Sequence, residues 1–138
     1  MKNLTYFIFS ILILLILCIP LTVNAMSHQA GDLQVAKATV CLDVVNLDCV
    51  EARASFPSNV GKLHCLTRIN GAQDVSQVTH VWYFGHTERA RVTLDVRSAN
   101  WRTYSSKIIQ SHEIGDWHID VLGPEGQFLE IVQFEIVP

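Results

Sequence analysis

Between Ala90 and Arg97 the chain alternates without a break: Ala90, Val92, Leu94 and Val96 are apolar, and Arg91, Thr93, Asp95 and Arg97 between them are polar. A period of two puts one set on each face of an extended strand, the apolar set inward and the arginines outward. The same pattern recurs along the chain. Ala36, Ala38, Val40 and Leu42 alternate with Lys37, Thr39 and Cys41; Trp117, Ile119 and Val121 alternate with His118 and Asp120; Val132, Phe134 and Ile136 alternate with Gln133 and Glu135. No segment in this region has a helical period.

Further strands are expected at Lys62 to Ile69, Val78 to Phe84 and Trp101 to Ile109. The Val78 to Phe84 strand is apolar on both faces and is expected to lie centrally in its sheet. Turns are marked by Phe56 to Gly61, Asn70-Gly71, Gly85 to Glu88 and Gly123-Pro124-Glu125-Gly126. The reading is all-β, an immunoglobulin-like sandwich of about seven antiparallel strands, with a small β-barrel as the alternative. In such a sandwich the fourth and fifth strands are expected in one sheet, and the sixth and seventh in the other.

The first 25 residues stand apart. Lys2, an apolar run from Leu4 to Ile19, and Val23 and Ala25 before Met26 read as a secretory signal peptide cleaved after residue 25. An uncleaved anchor is the alternative, and the run falls slightly short of the roughly 20 residues a spanning helix needs. A polar lead over 26–32 then enters a single domain over 33–138. The expected location is therefore exported, periplasmic or secreted, with a membrane contact only through an uncleaved signal.

Export bears on the thiols. Cys41, Cys49 and Cys65 remain after cleavage, and an oxidising compartment favours one disulfide with one thiol left over. Cys41 and Cys49 flank the turn-like Val45 to Asp48. Closing that loop of about nine residues stabilises by roughly 2.5 kcal/mol in the chain-entropy model, so this is the preferred pair. Cys65 lies on one strand face with Leu63 and Ile69 and reads as a small buried apolar side chain; a Cys41 to Cys65 bridge is the alternative.

Charge excludes one partner class and suggests another. Of ten Lys and Arg, Lys2 falls in the leader, leaving nine against thirteen Asp and Glu, a balance that argues against nucleic acid. From Arg89 to Lys107 five cations meet one acid, Asp95, whereas from Ser111 onward there are six acids and no Lys or Arg. In the expected sandwich, Arg91 and Arg97 decorate one outer face and Asp120 and Glu135 the opposite one, which would make the molecule electrically two-faced. The expected partner is an envelope protein, or an anionic envelope polymer or glycan.

The stretch from Asn100 to Lys107 crowds aromatics, cations and hydroxyls together. Trp101 and Tyr104 could stack on a sugar ring, and Arg102 and Lys107 could hold a carboxylate or phosphate. The plainer and preferred reading has Trp101 plugging one end of the sandwich and the cations pairing with local acids. Candidate binding residues are thus Trp101, Arg102, Tyr104 and Lys107, with Arg91 and Arg97 on the neighbouring strand. Ser105 and Lys107 share a strand face, but an exposed lysine has no reason to lose its proton and activate a serine. His118 with Asp120, and His80 with His86, would make a metal site only if their strands were neighbours and supplied three or four ligands. They read instead as solvated side chains, so no metal, cofactor or catalytic residue is assigned.

Thr79-His80-Val81-Trp82-Tyr83, Trp101-Arg102-Thr103-Tyr104-Ser105-Ser106-Lys107, Gly115-Asp116-Trp117-His118-Ile119-Asp120-Val121 and Phe134-Glu135-Ile136 together carry a resemblance. From about Val35 to Val137 the chain resembles the bacterial family known as domain of unknown function 2914. The resemblance implies a small extracytoplasmic strand-rich domain and brings no assigned activity. Tyr104 stands where the family pattern has a tryptophan, and the cysteines are not a required part of it.

Overall fold

The computed structural model describes residues 32–138. The leader and most of the polar lead lie outside the described residues. Nine strands follow in order: β1 (Gln34–Val45), β2 (Asp48–Ala52), β3 (Ser55–Pro57), β4 (Lys62–Asn70), β5 (Ser76–Phe84), β6 (Thr87–Val96), β7 (Asn100–Ile108), β8 (Gly115–Leu122) and β9 (Phe128–Val137). They form a four-stranded sheet, β2-β1-β4-β7, packed on a five-stranded sheet, β3-β9-β8-β5-β6. The two sheets are not closed into a barrel, and the sandwich read from the alternation is what forms.

All seven expected strands are present, and two short ones join them. Alternation misses β2 because it has five residues and holds Glu51 at positive φ (52°). It misses β3 because three residues ending in Pro57 look like a break. They nonetheless pair in parallel with β9, Phe56 opposite Ile136.

The sheet assignment of the fourth strand needs correction. That strand, β6, lies with β8 and β9 in the five-stranded sheet, and β7 lies at the edge of the four-stranded sheet beside β4. The reason is the turn. Phe84 pairs with Thr87, so only Gly85 and His86 connect β5 to β6, and Gly85 takes the positive φ (57°) that opens a two-residue hairpin. A connection this short can only join neighbours within one sheet. The change of sheet happens one connection later, between Val96 and Asn100.

The core divides into two apolar clusters. One gathers Trp82, Trp117, Phe56, Phe134, Leu63 and Cys65; the other gathers Ile69, Val78, Val96 and Val121, with half-buried Trp101 and Leu94 against it. Trp117 stacks on Phe134, with centroids 5.8 Å apart, and Trp82 meets the same ring edge-on at 6.1 Å. Each large side chain buried this way contributes about 3 kcal/mol. β5 lies inside its sheet, between β8 and the edge strand β6, with Val78, His80, Val81 and Trp82 all buried.

Two covalent or ionic ties close the ends. Cys41 and Cys49 form the expected disulfide, eight residues apart, across a β1–β2 turn in which Asn46 and Leu47 both take positive φ. Cys65 is free and buried, its thiol pushed up to about 12 by desolvation, so it packs and does not react. The Glu113 carboxylate, buried in the β7–β8 connection, accepts from the Gln110 backbone N–H at 2.8 Å and pairs with Arg89 at the start of β6.

Reduction of the disulfide should lower unfolding free energy by about 2.5 kcal/mol, read as a drop in the urea midpoint of the Cys41→Ala/Cys49→Ala variant. Arg89→Ala should cost about 2 kcal/mol, because it strands a buried carboxylate. Arg91→Ala, whose partner Glu88 is exposed, should change stability by no more than about 0.5 kcal/mol. Equal effects of the two arginine variants would show that the Glu113 tie is not structural.

Candidate functional site

The alternation of β7 decides which candidates can act together. Arg102, Tyr104 and Ser106 face solvent, and Trp101, Thr103, Ser105 and Lys107 face the other way. Trp101 and Tyr104 are therefore on opposite sides of one strand and cannot grip one ligand. Trp101 is half-buried against the second apolar cluster, as the plainer reading had it. Lys107 is half-buried and donates to the Ile108 carbonyl at 2.6 Å.

Ser105 is buried, not exposed, and so is His80. Their environment differs from the solvated one read from sequence because β5 and β7 come from different sheets and both turn these residues inward. Ser105 Oγ lies 2.7 Å from His80 Nδ1 and accepts from Trp82 Nε1 at 3.0 Å. On the other side of the ring, Thr67 Oγ1 lies 3.1 Å from His80 Nε2 and 3.4 Å from the Thr103 carbonyl. One tautomer satisfies every group: Ser105 donates to Nδ1, Nε2–H donates to Thr67, and Thr67 donates to the carbonyl. The serine is thus next to a histidine, but both are buried in the core and closed to solvent. Burial lowers the His80 pKa from the model-peptide value to about 4.

The arginines expected to form a basic face do not form one. Arg91 bonds Glu88 at 2.7 Å on an edge strand that shares its sheet with Asp120 and Glu135, and Arg97, just past the end of that strand, bonds Asp95 at 3.0 Å. Basic and acidic strands lie in one layer because the two-residue turn keeps β6 beside β5. His118 lies stacked on Tyr83 at 4.7 Å and is 3.9 Å from Asp120. Among the described residues no group of three His, Cys, Asp or Glu is arranged to hold a metal ion.

A different basic surface does form, on the outer face of the four-stranded sheet. Lys37 on β1 pairs in register with Arg68 on β4, and Arg68 pairs with Arg102 on β7. Three cations in line across three adjacent strands repel one another, since like charges directly opposite are destabilising. One carboxylate offsets them: Asp48, on the β1–β2 hairpin that curls over this face, accepts from Arg102 at 2.9 Å. Arg68 is held by Asn100 Oδ1 at 2.9 Å, and it is the one arginine among the described residues without a carboxylate partner. A cavity of about 370 Å³ lies here, lined by Lys37, Thr39, Leu66, Arg68 and Arg102 and walled by the hairpin. Lys37 and Arg68 escape sequence reading because they sit 31 residues apart on strands whose register is not visible. The signal that could have found them is that both fall on outward positions of alternating strands.

Fold and surface together define a class: a two-layer antiparallel sandwich with a basic sheet face. Residues 76–136 match the model of the family described as "Protein of unknown function (DUF2914)", and the resemblance read from the tryptophan and Ser-Lys motifs stands over that segment. It covers β5 to β9, so Lys37 and Arg68 lie outside it. No curated protein matches the sequence. Among solved structures, the chain is similar to the crystal structure of Beta-D-glucoside glucohydrolase from Trichoderma reesei, at 8% identity with a TM-score of 0.40. That likeness covers 78% of this chain and 19% of that one, and it carries no argument about activity. Among the described residues no helix is long and apolar enough to cross a membrane.

The His80 pKa fixes the sign of a pH dependence. Folded His80 resists protonation down to about 4, while the unfolded ring protonates near 6.5. Its contribution is present in full above 6.5 and is lost as pH falls from 6.5 to 4, amounting to about 3 kcal/mol. Proton uptake on unfolding near pH 5 should fall by close to one in His80→Gln, measured from the pH slope of urea stability. An unchanged slope would mean that the ring is solvated.

Proposed function

We propose that this chain is an exported, non-catalytic accessory domain that docks on an anionic partner in the cell envelope through the outer face of the four-stranded sheet. The observation that carries the reading is the in-register row Lys37, Arg68 and Arg102 with a single carboxylate against it. Such a row costs stability when empty and gains when an anion lies on it, because charge-assisted hydrogen bonds are the stronger kind. Export is supported by the leader read from residues 1–25 and by the Cys41–Cys49 disulfide, a bond that persists in oxidising compartments. A non-catalytic role is supported by the sealing of the Ser105 and His80 pair within the core. Of the candidates read from sequence, Arg102 and Tyr104 lie on this face, Arg91 lies on the other sheet, and Arg97 follows the end of β6.

Two variants of equal charge separate the faces. Lys37→Ser/Arg68→Ser should lose most retention on beads carrying a carboxylate polymer at low salt, and Arg91→Ser/Arg97→Ser should keep it. Retention of the unaltered chain should weaken as salt rises, since exposed charges are screened within about 8 Å at physiological ionic strength. Equal losses from both variants would reduce the effect to net charge and overturn the docking face.

A further inference from the structure

The basic row does not stand alone on its sheet face. Successive outward positions form rows across the same three strands, and each row has its own chemistry. On one side of Lys37, Arg68 and Arg102 run three amides, Gln34, Asn70 and Asn100, in register. On the other side run Thr39, Leu66 and Tyr104, again in register, with Leu66 buried and Tyr104 exposed. Strands about 4.8 Å apart and outward positions about 6.8 Å apart make this a plate of roughly 10 by 14 Å. From this we infer that the docking face takes an acidic polysaccharide, a polymer of uronic acid sugars laid over the plate. The inference rests on the docking reading above and names the occupant.

Each row answers one part of such a sugar. The carboxylate belongs on the cations, and the protein already shows that bond: Asp48 sets a carboxylate on Arg102 at 2.9 Å. Arg68 is the equivalent position without one, oriented by Asn100 and left with guanidinium donors to spare. Ring hydroxyls belong on the amides, which both donate and accept. Gln34 and Asn100 are exposed, so the amide row is open beside the cations. The apolar face of the ring belongs on Tyr104, whose ring is exposed and propped edge-on by His64 at 5.9 Å. An acidic protein segment or a phosphate polymer would use the cation row and leave the tyrosine idle. The cavity of about 370 Å³ between this face and the hairpin is lined by the cation row and not by the amides or Tyr104, so it is where the carboxylate belongs.

The test titrates the full chain with de-esterified oligogalacturonate, its methyl ester, poly-L-glutamate and polyphosphate, following binding by calorimetry. Oligogalacturonate should bind and its neutral methyl ester should not. Tyr104→Ala should weaken oligogalacturonate binding about tenfold, the size of one stacked aromatic contact. It should leave poly-L-glutamate and polyphosphate unmoved. Tyr104 is exposed, so this variant should keep the parent's circular dichroism and melting curve. The conservative variant Tyr104→Phe should restore most of the uronate binding. If poly-L-glutamate or polyphosphate binds as well as the uronate and Tyr104→Ala moves none of them, the sugar is the wrong occupant and the anionic docking face survives. If no polyanion binds, or Arg68→Gln changes nothing, the docking face itself falls.

Discussion

The His80 imidazole enters the core from the five-stranded sheet and is held by two hydroxyls of the other sheet, Ser105 and Thr67. The packing of both apolar clusters depends on this contact. Along β4 the inward residues are Leu63, Cys65, Thr67 and Ile69; along β5 they are Val78, His80 and Trp82. The polar pair falls in the middle of each, so one apolar cluster lies on either side of it. A slip of β5 by two residues against the facing sheet would push an imidazole into an apolar cluster with both nitrogens unpaired. An unpaired buried polar group costs about 1–3 kcal/mol for each atom, whereas an apolar contact displaced by another apolar contact costs little. The hydrogen-bonded layer therefore aligns the sheets where greasy packing alone would tolerate several alignments.

That alignment fixes what the outer faces display. With Thr67 and Ser105 inward, Arg68 and Tyr104 must point outward, because side chains alternate along a strand. The antiparallel register of β4 with β7, Thr67 opposite Thr103 and Arg68 opposite Arg102, then brings the two guanidiniums side by side. Core polarity and surface charge are thus two sides of the same strands. The disulfide adds the last part, since Cys41–Cys49 pins the hairpin that carries Asp48 over the cation row.

Charge arrangement is where local reading and tertiary outcome part most clearly. The concentration of arginines from Arg89 to Arg97 suggests a basic face, but these arginines find acids within three residues or in the nearby loop: Arg91 on Glu88, Arg97 on Asp95, Arg89 on Glu113. A cluster along the chain neutralises itself locally. The basic row that does form comes from three strands, each contributing one cation, and no window of sequence contains it. His80 and Ser105 likewise look like ordinary polar residues of two separate strands until the sheets are stacked.

The sequence by itself determined the seven longer strands, because a period of two in hydrophobicity leaves an extended chain only one way to bury its apolar face. It also favoured the Cys41–Cys49 pair, which the structure contains, because a short tight turn holds the two sulfurs close. The inert Cys65 follows from its place among inward apolar residues. The match of residues 76–136 to a family model was legible too, through Trp82, Trp101 and Trp117. What only the tertiary structure decided was the assignment of β6 to the second sheet, the sealed His80 network and the row Lys37, Arg68 and Arg102. Each of these depends on which strands become neighbours and in what register. Register is set by the packing of the whole core, a sum over contacts distant in sequence that no local pattern contains.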